Sequence, residues 1–321
     1  MSRVVRVAAA QMGPVGRHEP RAAVVDRLVT LLNEAAGRGA QLVVFPELAL
    51  TTFFPRWWID DPVELDAWFE TEMPGPSTEP LFAAARRLGV GFSLGFAELA
   101  TAPGDPTAVR HYNTTVLVGP DGTEVARYRK VHLPGHEDHE PWREFQHLER
   151  RYFDPGPEGF VAHRAFGGIV ALATCNDRRW PETYRVLGLQ GVELIMIGYN
   201  TPKHYAPDPD QDRLAGFHNN LVMASGAYQN GTWVVGVAKG GLEEGVCSLA
   251  ESQIIAPSGE VTARCLTDGD EVIVADCDLD ACAAYKDTLF DFDRYRMIEH
   301  YGTIATQRGV IPPPDPQEGQ P

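Results

Sequence analysis

Cys175 is a thiol placed where a nucleophile could work. It follows the apolar run Ile169-Val-Ala-Leu-Ala-Thr174 and opens the polar turn Cys175-Asn-Asp-Arg-Arg-Trp180. A helical pattern, Pro181-Glu-Thr-Tyr-Arg-Val-Leu-Gly-Leu-Gln190, comes next, with proline at the first position, where a missing N–H costs nothing. Such a strand-to-helix elbow would lift the thiol to the mouth of a sheet, where helix N–H dipoles favour the thiolate. Arg178 and Arg179 would put a planar fork of donors beside it, suited to a carboxylate. Read alone, Cys175 could equally be a buried structural cysteine.

Two further polar residues interrupt apolar segments. The run Leu42-Val-Val-Phe-Pro-Glu47 ends on a carboxylate. In Ala126-Arg-Tyr-Arg-Lys-Val-His-Leu133, strand alternation puts Lys130 and His132 on the same side as Tyr128. Singly, Glu47 could be a strand-end surface carboxylate and Lys130 a solvated edge lysine.

Together, Glu47, Lys130 and Cys175 resemble the catalytic triad of the nitrilase superfamily, the carbon–nitrogen hydrolases. The matching stretches are Phe45-Pro-Glu-Leu48, Tyr128-Arg-Lys-Val-His-Leu133 and Thr174-Cys-Asn-Asp-Arg-Arg-Trp180, and the resemblance runs from Val5 to about Tyr301. It looks closest to one branch, the N-carbamoyl-D-amino-acid hydrolases. That likeness rests on Leu48-Ala-Leu-Thr-Thr-Phe-Phe-Pro-Arg-Trp57, Leu133-Pro-Gly-His136, Phe145-Gln-His-Leu-Glu149, Cys175-Asn-Asp-Arg-Arg-Trp-Pro-Glu182, Gly198-Tyr-Asn-Thr-Pro202 and Ser225-Gly-Ala-Tyr-Gln-Asn-Gly231.

The resemblance implies Glu47 as general base, Lys130 as the charge that meets a tetrahedral oxyanion, and Cys175 as nucleophile. It adds Glu149 as a second glutamate of the site, and His132, His147, Asn176, Arg178, Arg179, Asn200 and Thr201 as substrate-binding residues. The sequence does not choose between Arg178 and Arg179 for a substrate carboxylate. At least one of them is expected to pair with Asp177 or Glu182. The implied activity is hydrolysis of an N-carbamoyl-D-amino acid to the D-amino acid, carbon dioxide and ammonia. Alternatives on the same triad are an N-carbamoyl-β-alanine hydrolase, an aliphatic amidase or a nitrilase. A catalytically silent scaffold on this fold is the alternative of another class.

The surroundings fit a small-molecule enzyme. Lys and Arg number 28 against 44 Asp and Glu in 321 residues, a formal net charge of −16. So acidic a chain repels nucleic acid and anionic membrane surfaces, and local arginines must overcome that field for an anionic substrate. The opening Met1-Ser-Arg-Val-Val-Arg-Val7 has no long apolar segment, and five cysteines without a C-x-x-C pair suggest free thiols, so a cytoplasmic location is expected. His132, His136, His139 and His147 fall in one stretch, but Pro134 and Gly135 break the only i, i+4 pair, so neither a metal nor a cofactor is expected.

The elements that must position these residues alternate between strand and helix. Strands are expected at Val4–Gln11, around Leu42–Phe45, and at Gly91–Leu99, Thr114–Gly119, Thr123–Val131, Ile169–Thr174, Val192–Tyr199, Thr232–Ala238, Ser252–Ala256 and Glu271–Cys277. Helices are expected at Glu19–Gly37, Thr78–Leu88, Pro181–Gln190 and Arg213–Gln229. Pro134–Arg164 reads as a long ordered loop, and a helix and extension start at Leu279. The alternation predicts an α/β layered fold, and the resemblance implies a four-layer α-β-β-α sandwich of the nitrilase type. Residues 1–310 are read as one hydrolase domain, with an oligomerisation segment from about 280 that includes Asp291–Met297, and 311–321 as a disordered tail. The family resemblance implies a homo-oligomer, a dimer or tetramer.

Overall fold

Runs that are apolar on both faces become central strands here, because both faces are covered. The computed structural model describes residues 2–102 and 104–314. Its strands are β1 (Val4–Gln11), β2 (Leu42–Val44), β3 (Gly91–Ala102), β4 (Asp105–Val118), β5 (Glu124–Arg129), β6 (Ala162–Ala165) and β7 (Gly168–Thr174). Then come β8 (Leu194–Tyr199), β9 (Trp233–Ala238), β10 (Gly240–Glu243), β11 (Val246–Leu249), β12 (Gln253–Ile255), β13 (Val261–Arg264) and β14 (Glu271–Asp278). They form two six-stranded sheets, β14-β1-β2-β3-β4-β5 and β13-β12-β9-β8-β7-β6, and the small hairpin β10-β11.

Strand alternation builds the layers. Ala8 and Val43 point outward to Val24, Leu28 and Leu32 of the helix Arg21–Gly37 and to Leu81 and Phe82 of the helix Glu79–Leu88. Their neighbours Val7, Ala9, Leu42 and Val44 point inward and meet Val170, Leu172, Leu194, Met196 and Val235 of the other sheet. On that sheet Ala171, Ala173, Ile195 and Ile197 face Tyr184 and Leu187 of the helix Pro181–Gly188 and Met223 and Ala227 of the helix Ala215–Asn230. The result is the expected α-β-β-α sandwich.

Parallel pairing sets the location of the site. β1, β2 and β3 are mutually parallel neighbours, as are β7, β8 and β9. β5 returns parallel to β3 through the antiparallel β4. The C-terminal ends of β2, β5, β7 and β8 therefore lead into Glu47, Lys130, Cys175 and Asn200-Thr201. Ligand sites of α/β sheets lie beyond such ends.

The structure departs from the expected elements in five places. The stretch Pro134–Arg164 is not one loop: it carries a helical turn at Glu149–Tyr152 and the edge strand β6. β10 and β11 were hidden because Gly240-Gly-Leu-Glu-Glu-Gly245 shows no apolar alternation, and β13 because it is a short, half-exposed edge. β4 starts earlier than Thr114, through polar residues that pair with β3. The expected helix after Leu279 is a series of short turns, including Ala283–Lys286 and Phe292–Tyr295. Residues 315–321 of the expected tail lie outside the described residues. Among the described residues no helix is long and apolar enough to cross a membrane.

Candidate active site

Glu47, Lys130, Glu149 and Cys175, four residues far apart in sequence, are brought together with almost no exposure. Lys130 Nζ donates to Glu47 Oε1 at 2.7 Å and to Glu149 Oε2 at 2.5 Å. Asn113, in β4, donates through Nδ2 to the same Glu47 oxygen at 2.8 Å. Glu47 Oε2 is buried and has no hydrogen-bond partner among the described residues. One carboxylate oxygen is thus held fixed and the other is left able to accept a proton.

Cys175 sits at the elbow with φ 45°, and Leu48, directly after Glu47, has the same φ. Both are non-glycine residues in the left-handed region, which concentrates at functional sites because the surroundings must hold it. Asp177 supplies that hold. Its carboxylate accepts from Thr174 N at 2.9 Å, from the Tyr128 hydroxyl at 2.7 Å and from His132 N at 3.0 Å, and His132 Nδ1 lies 2.9 Å from it. The alternation that put Tyr128 and His132 on one side therefore delivers both to the turn that carries the thiol.

The electrostatics correct one expectation. The elbow does not favour the thiolate: burial pushes the Cys175 thiol above its ordinary value, and Glu47 adds to this against the pull of Lys130 and Arg178. Burial also raises the Glu47 carboxyl, more than Lys130 lowers it. Glu149 goes the other way, because Lys130 and His147 outweigh its burial and hold it as a carboxylate. Lys130 is buried too, but Cys175, Glu149 and Glu47 raise its pKa and keep it charged. A neutral thiol beside a buried base with a raised pKa is an arrangement for proton transfer at the moment of attack.

The two arginines separate clearly. Arg178 is 1% exposed, and its guanidinium stacks on Tyr199 at 4.3 Å. It donates to Asn219 Oδ1 at 3.0 Å, to the Cys175 carbonyl at 2.6 Å and to Thr201 Oγ1 at 3.0 Å, with Nη1 3.8 Å from Cys175 Sγ. It braces the elbow and has little left for a substrate. Arg179 is exposed, and no hydrogen bond or ion pair is formed by its side chain among the described residues. Loss of water around the guanidinium lowers its pKa, repulsion from Arg178 lowers it further, and Cys175 and Tyr205 oppose both. Neither arginine pairs with Asp177 or Glu182, contrary to expectation, because Asp177 is already occupied by β5 and the turn.

The remaining expected residues line the same end. His147 Nε2 is 3.0 Å from Glu149 Oε1, and its ring meets the Phe53 ring edge-on at 5.5 Å. His132 stacks on Trp180 at 5.2 Å and Phe160 at 5.6 Å. Thr201 Oγ1 is 3.9 Å from Cys175 Sγ, Asn200 Nδ2 is buried without a partner among the described residues, and Asn176 is half-buried. Sequence reasoning missed Asn113 and Asn219, and gave Asp177 the wrong partner. Asn113 left no signal along the chain, because it lies just before the expected strand start at Thr114 and only the structure places it inside β4. Among the described residues no group of three or more His, Cys, Asp or Glu could hold a metal ion.

The family model for carbon–nitrogen hydrolases matches residues 6–287. The chain is 27% identical over 301 residues to an N-carbamoylputrescine amidase of Arabidopsis thaliana, covering 90% of this chain and 91% of that protein. It is 30% identical over 276 residues to a nitrilase of Pyrococcus abyssi, covering 86% and 90% respectively. Among solved structures, a carbon–nitrogen hydrolase from Helicobacter pylori G27 superposes with a TM-score of 0.80 at 21% identity, covering 96% of this chain and 99% of that one.

Proposed function

Because the chain belongs to the carbon–nitrogen hydrolase family, we propose that it cleaves the carbamoyl C–N bond of N-carbamoyl-D-amino acids through a Cys175-linked intermediate. The observation that carries the choice of substrate is Arg179, an exposed cation on the turn that starts at Cys175, which has no anion of its own among the described residues. A substrate carboxylate supplies that anion. A substrate with a cationic tail, such as N-carbamoylputrescine, would be repelled there. The D preference rests on the branch resemblance alone.

Glu47 Oε2 takes the thiol proton as sulfur attacks the carbamoyl carbon. Lys130 faces the oxyanion that forms, and removing one such donor typically costs about 10²- to 10³-fold in rate. As the tetrahedral species collapses, the proton on Glu47 passes to the leaving nitrogen and the C–N bond breaks. Glu47, again a carboxylate, then takes a proton from water, whose oxygen attacks the Cys175-bound carbonyl. The proton passes to the departing sulfur, and the carbamic acid released breaks down to carbon dioxide and the second nitrogen product, ammonia or the amino acid. Glu149 keeps Lys130 charged and aimed. No metal or cofactor is needed for any of these steps.

We also propose a cytoplasmic homo-oligomer, assembled in part through the C-terminal segment. Tyr295, Met297, Ile298 and Ile304 expose 57%, 52%, 68% and 63% of their surface, which suits burial against a second copy. The deciding assay compares ammonia release from D- and L-N-carbamoyl amino acids, N-carbamoyl-β-alanine, N-carbamoylputrescine, a simple amide and a nitrile. Turnover of the D-carbamoyl acids should exceed that of every other compound. Faster turnover of N-carbamoylputrescine or of the amide would overturn the assignment.

A further inference from the structure

A second buried charge cluster lies behind the first and takes no part in the chemistry above. Glu243, at the end of β10, is 1% exposed, and Lys239 and Arg56 beside it are buried as well. Glu243 Oε1 accepts from the Phe53 backbone N–H at 2.8 Å and from Arg56 Nη2 at 2.8 Å. Its Oε2 accepts from Val15 N at 2.9 Å and from Lys239 Nζ at 3.3 Å. Arg56 reaches back to the Phe53 carbonyl at 3.0 Å and also donates to the Glu243 carbonyl, while Lys239 donates to the Thr51 carbonyl. Every polar contact of this carboxylate thus fixes the turn Thr51–Arg56 or the strand ends beneath it.

That turn in turn grips the catalytic loop at three points around one residue. The Arg56 carbonyl accepts from Gln146 N at 3.0 Å, and the Pro55 carbonyl accepts from Leu148 N at 2.8 Å. Between them, the Phe53 ring meets the His147 ring in a T-shaped contact. His147 then contacts Glu149, and Glu149 holds Lys130.

We propose that Glu243 is a positioning residue for the active site: through the Thr51–Arg56 turn it fixes His147, and through His147 it sets where Glu149 holds Lys130. This rests on the reading in which Lys130 and its carboxylates serve Cys175. A buried charge is an expensive way to anchor a turn, and here both lone-pair sets are used to set a backbone and not to meet solvent. Misplacement by about 1 Å at a reacting group can cost about 10²-fold in rate.

The test measures kcat, KM and the rate of iodoacetamide labelling at Cys175, resolved from the other cysteines by peptide mass spectrometry. It uses full-length Glu243→Gln, His147→Asn and the double variant, each checked for folding by circular dichroism. Glu243→Gln should lower kcat and the labelling rate at least ten-fold, about 10²-fold at most, while KM moves far less. Combined with His147→Asn it should add little, because the route through His147 is already cut. Fully additive losses, or a Glu243→Gln enzyme that melts earlier but turns over normally, would overturn the proposal. Should Glu243→Gln fail to fold, Phe53→Leu keeps the Glu243 carboxylate and its hydrogen bonds to the turn backbone and removes the ring that meets His147 and Arg56, and it must show the same non-additivity with His147→Asn. Labelling needs no substrate. A chain that labels as described but ignores carbamoyl acids would therefore sink only the substrate assignment.

Discussion

Gly198 lies so close to Glu47 that a Cβ added to it would stand 2.6 Å from the Glu47 amide nitrogen. Gly95 approaches the same backbone from the other sheet, where a Cβ would stand 2.7 Å from the Glu47 Cα. The carboxylate is thus carried on a segment clamped between two glycines, one per sheet. Gly198→Ala should displace it and lower kcat by about 10²-fold with a smaller effect on KM. Steady-state kinetics on a folded variant checks this, and normal kcat would show that the clamp has slack.

Glu47→Gln should abolish turnover, at a cost of about 10²- to 10⁴-fold for a lost general base, without harming the fold. Burial raises the Glu47 carboxyl in the folded state, so its contribution to stability is complete below the unfolded pKa and is lost as pH rises through the folded one. Above the folded pKa the charged group is therefore a burden that a neutral amide removes. Melting at pH 7 should show Tm unchanged or raised, and a marked fall would contradict the assigned direction.

The pH dependence follows from the same groups. As pH falls, kcat/KM should drop through a pKa above the ordinary glutamate value of about 4.3, because burial raises Glu47 and its proposed role as base requires the ionised form. Labelling of Cys175 should rise with pH through a pKa above the usual thiol value of about 8.5, since burial raises it. Buried Cys265 and Cys282, pushed up to about 12 and about 11, should label slowly at neutral pH. A Cys175 profile centred well below the usual thiol value would mean a resident thiolate and remove the need for Glu47.

Arg179→Ala and Arg178→Ala should fail in different ways. Arg179→Ala should keep Tm and lower kcat/KM for carboxylate-bearing substrates about ten- to a hundred-fold, the worth of a charge-assisted hydrogen bond. Arg178→Ala should cost about 2–4 kcal/mol of stability, because it strips a buried brace from Asn219, Thr201 and the Cys175 carbonyl. Thermal melts beside kinetics on an acid and its carboxamide separate the two. An Arg179→Ala enzyme with unchanged preference for acid over carboxamide would remove the carboxylate clamp.

Light scattering at micromolar concentration should report a dimer or a larger homo-oligomer. Charge added at Ile298, as Ile298→Asp, should shift it toward monomer. A monomeric wild type would leave the exposed apolar C-terminal residues without the proposed partner.

Much of this protein is local and therefore readable along the chain. Leu42–Val44 and Leu194–Tyr199 are apolar on both faces, which marks central strands, and Val24, Leu28 and Leu32 recur at helical spacing. The ends of such elements carry Glu47, Lys130 and Cys175, which the resemblance to a known family, and not local pattern alone, joins into one site. Tertiary structure decided what depends on partners distant in sequence. Arg178 and Arg179 are neighbours of one type, yet Asn219 and Thr201, 41 and 23 residues away, bury the first and leave the second free. Asn113 and Glu243 entered the candidate site and its support only because a strand end of the same sheet, 66 residues earlier, and a remote turn fold against them. The sign of the Cys175 shift was set by burial against Glu47, not by the elbow that its neighbours in sequence describe. Periodicity reports which face is covered. It carries no information on which side chain does the covering, and that identity fixes the charge states and hydrogen bonds at this site.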